Sequence, residues 1–208
     1  MSDTRLSPRV YSYDGIVPVI DPSAYVHPEA ILIGDVIIGP ECYIGPGAVL
    51  RGDIGRIVVE KGANIQDACV VHTFPDREVV VEELGHIGHG AVLHGCRVCR
   101  NAMVGMNAVV MDDAVVGENS IVGAMAFVKA ETQIPANSLV LGSPAKVVRK
   151  LGEKEIAWKR EGSEIYMVLA AEAAEKMKPA TALDSPEPDR RRIAPPKYDP
   201  KYMFDPGF

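Results

Sequence analysis

Three of the five histidines lie in the neighbouring runs CVVHTF, IGHGAV and LHGC, which contain His72, His89 and His94. Neutral imidazoles are the commonest metal ligands in proteins, and three of them with an open fourth position form the donor set of a catalytic zinc site. An ion held that way lowers the pKa of a water in its open position from about 15.7 towards about 7, so a nucleophile forms at neutral pH without a protein general base. The phase of the three residues groups them. His72 follows the aliphatic Val71 by one position and His94 follows Leu93 by one, whereas His89 follows Ile87 by two and points from a different corner. Two imidazoles from one face and a third from another do not meet within one subunit, but they can meet across the interface of a threefold trimer. On spacing alone a second reading stays open, in which these are three unrelated surface histidines. His27, before Pro28, and His86, at the exit of a loop, illustrate it, because neither shares the phase of the other three.

The element that must position these residues is a repeat. Aliphatic residues recur every six positions, at Ile20, Val26, Leu32, Ile38, Ile44 and Leu50, at Val59, Ile65 and Val71, at Ile87 and Leu93, and from Val98 through Val104, Val110, Val116, Val122, Val128 and Ile134 to Val140. No helix has that period. Small or turn-forming residues sit at fixed offsets, as in VGMNAV, VGENSI and VGAMAF, so each hexapeptide reads as a short strand plus a turn. Three of them make a triangular coil of a parallel β-helix, whose inward residues are buried only by stacking on the neighbouring coils.

The period breaks between Leu50 and Val59 and again between Val71 and Ile87, where HTFPDREVVVEELGH reads as a loop; loops leaving a rigid scaffold are where sites tend to be built. The expected organisation is a β-helix over 1–145, a helical segment over 146–178 and a proline-rich tail over 179–208. In the helical segment Ile156, Ala157, Tyr166, Leu169 and Ala173 have roughly helical spacing, with a turn expected near Gly162. The tail reads as an extended segment, and its aromatic cluster of Tyr198, Tyr202, Met203, Phe204 and Phe208 favours draping over a neighbour.

A net charge of −6 argues against a nucleic-acid partner, which would require a surplus of clustered Lys and Arg. No apolar stretch is long enough to span a membrane and the N-terminus has no signal-like apolar core, so a cytoplasmic location is expected. Cys42, Cys69, Cys96 and Cys99 are too few, and too evenly embedded in the repeat, to form a secreted disulfide framework. Cys96 and Cys99 form a lone C-x-x-C inside the repeat tract, away from any helix start that would activate a thiolate, and reduced thiols are expected.

The runs RGDIGRIVVEKGANIQDACVVH, GHIGHGAVLHGC, VGMNAVV and LGSPAKVVR together resemble the γ-class carbonic anhydrase family of hexapeptide-repeat proteins. Within it they are most similar to the phenylacetic acid degradation proteins and their carnitine-operon relatives, over about residues 10–170. The resemblance implies a left-handed β-helix, against the usual right-handed crossover. It also implies a homotrimer with metal sites at its interfaces, with His72, His89 and His94 as ligands of Zn2+, Fe2+ or Co2+. By the same resemblance Arg51 and Asp53 form an ion pair beside the metal, Gln66 hydrogen-bonds the water on it, Asp67 joins the arginine network and Asn64 faces the pocket. Tyr166 is a candidate pocket wall.

The function implied is a metal-dependent acyl-CoA thioesterase of phenylacetate degradation, acting on hydroxylated or ring-opened phenylacetyl-CoA derivatives through a metal-activated water. Lys146, Arg149, Lys150 and Lys154 are candidates to meet the CoA phosphates. The alternatives are a carbonic anhydrase acting on CO2 and bicarbonate, a hexapeptide acyltransferase, and a non-catalytic assembly protein. Against fast CO2 hydration, only Ile54-Gly55-Arg56 stands where active members of the family carry an acidic loop with a glutamate proton shuttle; Asp76, Glu82 and Glu83 are the candidates to replace it.

Overall fold

The computed structural model describes residues 7–194 and 198–200. The chain winds into a left-handed parallel β-solenoid of about seven turns, closed by one helix. Each turn contributes one short strand to each of three faces. On the first face Leu32, Leu50, Val71, Leu93, Val110 and Val128 stack in register. On the second the stack is Ile38, Val59, Val81, Val98, Val116 and Ile134, and on the third it is Val26, Ile44, Ile65, Ile87, Val104, Val122 and Val140. These side chains form one continuous buried column, as the six-residue period requires. A second inward row is small. Alanine fills most of it, and Cys42, Cys69 and Cys96 occupy the same kind of slot. All three are unpaired thiols, and burial raises the pKa of each, that of Cys69 to about 11. The corners need a left-handed backbone, and Asn101, Asn107, Asn119 and Asn137 supply it with φ of 53, 55, 59 and 58°.

Both breaks in the period are smaller than the sequence suggests. Val49–Val59 is one strand of 11 residues that turns the corner between two faces, and its register with Ile31–Ile38 shifts where the extra residues enter. The expected loop after Val71 shrinks to residues 73–77, because Glu78–Val81 is a strand paired with Arg56–Val59 on one side and with Arg97–Val98 on the other. Its Val79 and Val81 are fully buried, and that burial outweighs the missing turn signal.

The C-terminal segment also departs from the sequence reading. Lys146–Lys150 is a strand antiparallel to Ser138–Leu141, so helix begins only at Glu153 and runs without interruption to Lys176. Gly162 is no turn. It lies mid-helix because a methyl there would stand 2.6 Å from the Tyr198 hydroxyl. The helix buries Glu155, Lys159, Gly162, Ser163, Ala170 and Ala173 rather than the expected Ala157 and Leu169, which are exposed. Lys159 holds it to the solenoid. Its ammonium group donates to the Leu84 carbonyl, to Asn101 Oδ1 at 3.0 Å and to Ser163 Oγ at 3.0 Å, while burial pulls its pKa well below the usual lysine range. Asn101 in turn donates to Asn119 at 2.7 Å and Asn119 to Asn137 at 3.0 Å, so the contact continues as a ladder up one corner.

The tail returns to its own chain. Tyr198 stacks on Trp158 with centroids 5.4 Å apart and donates its hydroxyl to the Trp158 carbonyl, and Trp158 Nε1 donates to the Asp199 carbonyl. Tyr202, Met203, Phe204 and Phe208 lie outside the described residues.

Candidate functional site

His72 and His94 end the strands Val70–His72 and Val92–His94, which are neighbours on the first face, and the two histidines are register partners. Stacking one coil apart brings His72 Nδ1 within 3.3 Å of His94 Nε2, with ring centroids 5.3 Å apart. His89 follows His86–Ile87 on the third face and points from another corner of the same coil. Among the described residues of the single chain, no three His, Cys, Asp or Glu side chains close on one point.

Each of the three histidines has one ring nitrogen committed to a carboxylate. Asp53 Oδ1 lies 3.0 Å from His72 Nε2, Asp67 Oδ2 2.5 Å from His89 Nδ1, and Asp112 Oδ1 2.6 Å from His94 Nδ1. A carboxylate behind an imidazole draws the ring proton to itself and leaves the other nitrogen as a lone pair. His72 Nδ1 and His94 Nε2 therefore face each other as two lone pairs, an arrangement that calls for a positive charge between them. The donor set and its carboxylate backing fit a zinc-class ion.

Asp53 also accepts from Arg51 Nη1 at 2.6 Å, so it bridges the guanidinium and His72. Burial pushes the Asp53 carboxyl up, but the hydrogen bonds from Arg51 and His72 and the charge of Arg51 outweigh it and hold it below the usual carboxylate range. Asp53 lies midway along the strand Val49–Val59, at the bend between two faces, with Ile54 exposed beyond it.

The remaining sequence candidates separate into groups. Asp67, expected in the arginine network, pairs within the chain with His89. Gln66 and Asn64 are buried, and the Gln66 amide nitrogen contacts Asn64 Oδ1 at 3.0 Å and His86 Nε2 at 2.7 Å. Tyr166 meets His86 edge-on and Tyr43 likewise, each with centroids 5.3 Å apart. Glu82 is engaged by Arg97, and the Arg149 guanidinium grips both oxygens of Glu155. Three contributors escaped the sequence reading: Asp112 behind His94, Phe74 packed on the His94 ring at 4.9 Å, and His86. His86 carried a usable signal. It precedes the inward Ile87 as Asn64 precedes the inward Ile65, which places both in one outward row.

With that geometry in hand, similarity to known proteins divides the chain. The family model of bacterial transferase hexapeptide, six repeats, matches residues 18–52 and 95–130. The carnitine operon protein CaiE of Proteus sp. (strain LE138) is 50% identical over 184 residues, which is 88% of this chain and 93% of that protein. The chain belongs to the CaiE family of hexapeptide-repeat proteins. A hexapeptide transferase family protein from Anaplasma phagocytophilum has a similar structure, with TM-score 0.75 and 38% identity over 78% of this chain and 96% of that one. A Bacillus cereus structure described as a candidate acetyltransferase has TM-score 0.80 and 29% identity, covering 82% and 99%. In this CaiE-family chain the repeat match stops at residue 52 and resumes at 95. His72, His89, His94, Asp53, Asn64, Gln66 and Asp67 all lie in the interval between. The three histidines thus lie between the matched repeats, whereas Arg51 and Asp112, which support Asp53 and His94, lie within them. No helix among the described residues is long and apolar enough to cross a membrane.

Proposed function

We propose that the protein is a metal-dependent acyl-CoA thioesterase. On this reading it is a trimer, and His72 and His94 of one subunit with His89 of the next hold a zinc-class ion. The observation that carries the reading is the set of three histidine–carboxylate pairs, with the free nitrogens of His72 and His94 turned towards each other. A lone structural histidine has no need of that backing, and three of them with the same arrangement are the pattern of imidazoles prepared as ligands.

Bound there, the ion would acidify a water and offset negative charge at a polarised carbonyl. The chain's own residues do the rest. Asp53, kept ionised by Arg51, and Asp112 fix the His72 and His94 rings in their tautomers. Phe74 covers the edge of His94 and offers an apolar wall to an acyl group. In hydrolysis the water oxygen bonds to the thioester carbon, the C–S bond breaks and the water proton passes to solvent. The CoA thiolate leaves without a strong general acid, since a thiol has a pKa of about 8.5. Hydroxylated or ring-opened phenylacetyl-CoA derivatives are the proposed substrates.

Two other reactions draw on specific observations. The three-imidazole donor set also suits CO2 hydration, and the transferase descriptions of the structural relatives suit acyl transfer from CoA. One experiment separates them: thiol release from a panel of CoA thioesters by zinc-loaded protein and by His94→Ala, with CO2 hydration and acetyl transfer to amines measured alongside. Cleavage lost in the variant supports the thioesterase. CO2 hydration without cleavage makes the protein a carbonic anhydrase, and thiol release that needs an added acceptor and survives in the variant makes it a transferase.

A further inference from the structure

Beneath the C-terminal helix, on the face next to His89, lies a polar cluster that the reaction above leaves unused. His86 stands one coil above Asn64, its register partner, and Tyr166 seals the pair from the helix side. Asn64 is fully buried and Gln66 only 2% exposed. Three side chains converge there. Gln66 Nε2 lies 2.7 Å from His86 Nε2 and 3.0 Å from Asn64 Oδ1, and Asn64 Nδ2 lies 3.3 Å from His86 Nδ1.

A neutral imidazole has one donor and one acceptor, so His86 cannot accept from both amides. Part of the ring reaches solvent, yet burial first, and then the charges of Lys159 and His89, push its pKa down to about 3, and the ring is neutral in ordinary conditions. Its one proton has two places to go. On Nδ1, it leaves Nε2 to accept the short bond from Gln66, whose second N–H goes to Asn64; the only poor contact is then the longest of the three. On Nε2, it requires both amides to turn over from the orientation in which Gln66 Nε2 donates to Asn64 Oδ1 at 3.0 Å, and the orientation present therefore goes with the proton on Nδ1. The first arrangement satisfies both Gln66 donors. It leaves Gln66 Oε1 as a buried acceptor with no partner among the described residues, next in sequence to the Asp67 that holds His89.

We infer that His86, in its Nδ1–H form and sealed by Tyr166, is a positioning residue that locks the Gln66 amide with its carbonyl oxygen presented to the O–H of the attacking water at the His89 corner. The inference rests on the hydrolase reading. It also assigns His86 no part in carrying protons, because a ring that stays neutral, with Nε2 spent on Gln66, does not cycle between its charged and neutral forms.

Two measurements test it, both on the full chain. Imidazole 15N shifts of histidine-labelled protein, metal-free and zinc-loaded, report the tautomer. The expected result is His86 with its proton on Nδ1, unchanged from pH 8 to pH 5; a proton on Nε2 overturns the inference whatever the activity. In thioester hydrolysis His86→Leu is expected to lower kcat about ten- to a hundredfold with little change in KM, as loss of an orienting partner does. His86→Gln, which restores an acceptor, recovers part of it. In a Gln66→Ala background the same His86→Leu should cost nothing further, and an equal loss in both backgrounds reduces His86 to packing and overturns the inference. Absence of any cleavage by the unaltered protein removes the hydrolase reading instead, and the tautomer then decides the amide clamp on its own.

Discussion

His72 and His94 stand on consecutive coils of one face with their facing nitrogens 3.3 Å apart, and each is held from behind by a carboxylate. Two lone pairs at that separation repel unless a cation or a proton lies between them, so the pair is a seat for positive charge before any ligand arrives. His94→Ala is expected to reduce zinc from one ion per chain to nearly none, read by elemental analysis after gel filtration, while the oligomer keeps its size. Full zinc retention would remove these residues from the site.

Asp112 touches no candidate substrate position, yet it fixes the His94 ring through Nδ1 at 2.6 Å. Asp112→Asn should leave folding unchanged and weaken zinc binding about ten- to a hundredfold in competition with a chelator. Unaltered affinity would show that the His94 ring is oriented by Phe74 packing instead.

The depressed pKa of His86 has a signed consequence. Above about pH 6.5, the ordinary histidine value, the ring is neutral whether the chain is folded or unfolded and contributes no pH dependence. As the pH falls from there towards 3, the unfolded chain takes up a proton that the folded ring refuses, and stability drops. Urea unfolding of the protein and of His86→Gln at pH 7 and pH 4.5 should show the variant gaining about 1–3 kcal/mol on the parent across that interval. A constant difference would mean that the ring protonates freely in the fold.

The aliphatic column admits no charge. Val116 is fully buried within it, whereas Val115 beside it faces outward. Val116→Asp should cost several kcal/mol or prevent folding, because the carboxylate has neither water nor partner. Val115→Asp should cost less than about 1 kcal/mol. Thermal melts of the two variants check the contrast, and similar losses would contradict the inward assignment.

The column was legible because its physics is periodic: a residue that must be buried every sixth position writes itself into the sequence at Val98, Val104, Val110 and onward. Glu78–Val81 was not legible, since three consecutive valines give no alternation and their burial depends on partners some twenty residues away in both directions. Gly162 is opaque in the sequence for a related reason. A glycine in a helix resembles a break until Tyr198, far along the chain, is seen to occupy the missing side chain's place. The three candidate histidines group by phase, but their carboxylates do not: a motif points to Asp53 and Asp67 without showing that Asp67 meets His89, and Asp112 sits a full coil away from the ring it holds. His86 fails the phase of the candidate metal ligands, while its agreement in phase with Asn64 is legible in the sequence.

His72 and His94 occupy neighbouring rungs of a hydrogen-bonded ladder, and the spacing of those rungs, about 4.8 Å, is a property of peptide geometry rather than of any side chain. The distance between their rings is therefore inherited from the backbone and is insulated from drift in the surrounding sequence. A scaffold of this kind behaves like a ruled page. Descendants can exchange the letters written on two lines, and with them the chemistry, while the line spacing that any new pair of ligands would need is already printed.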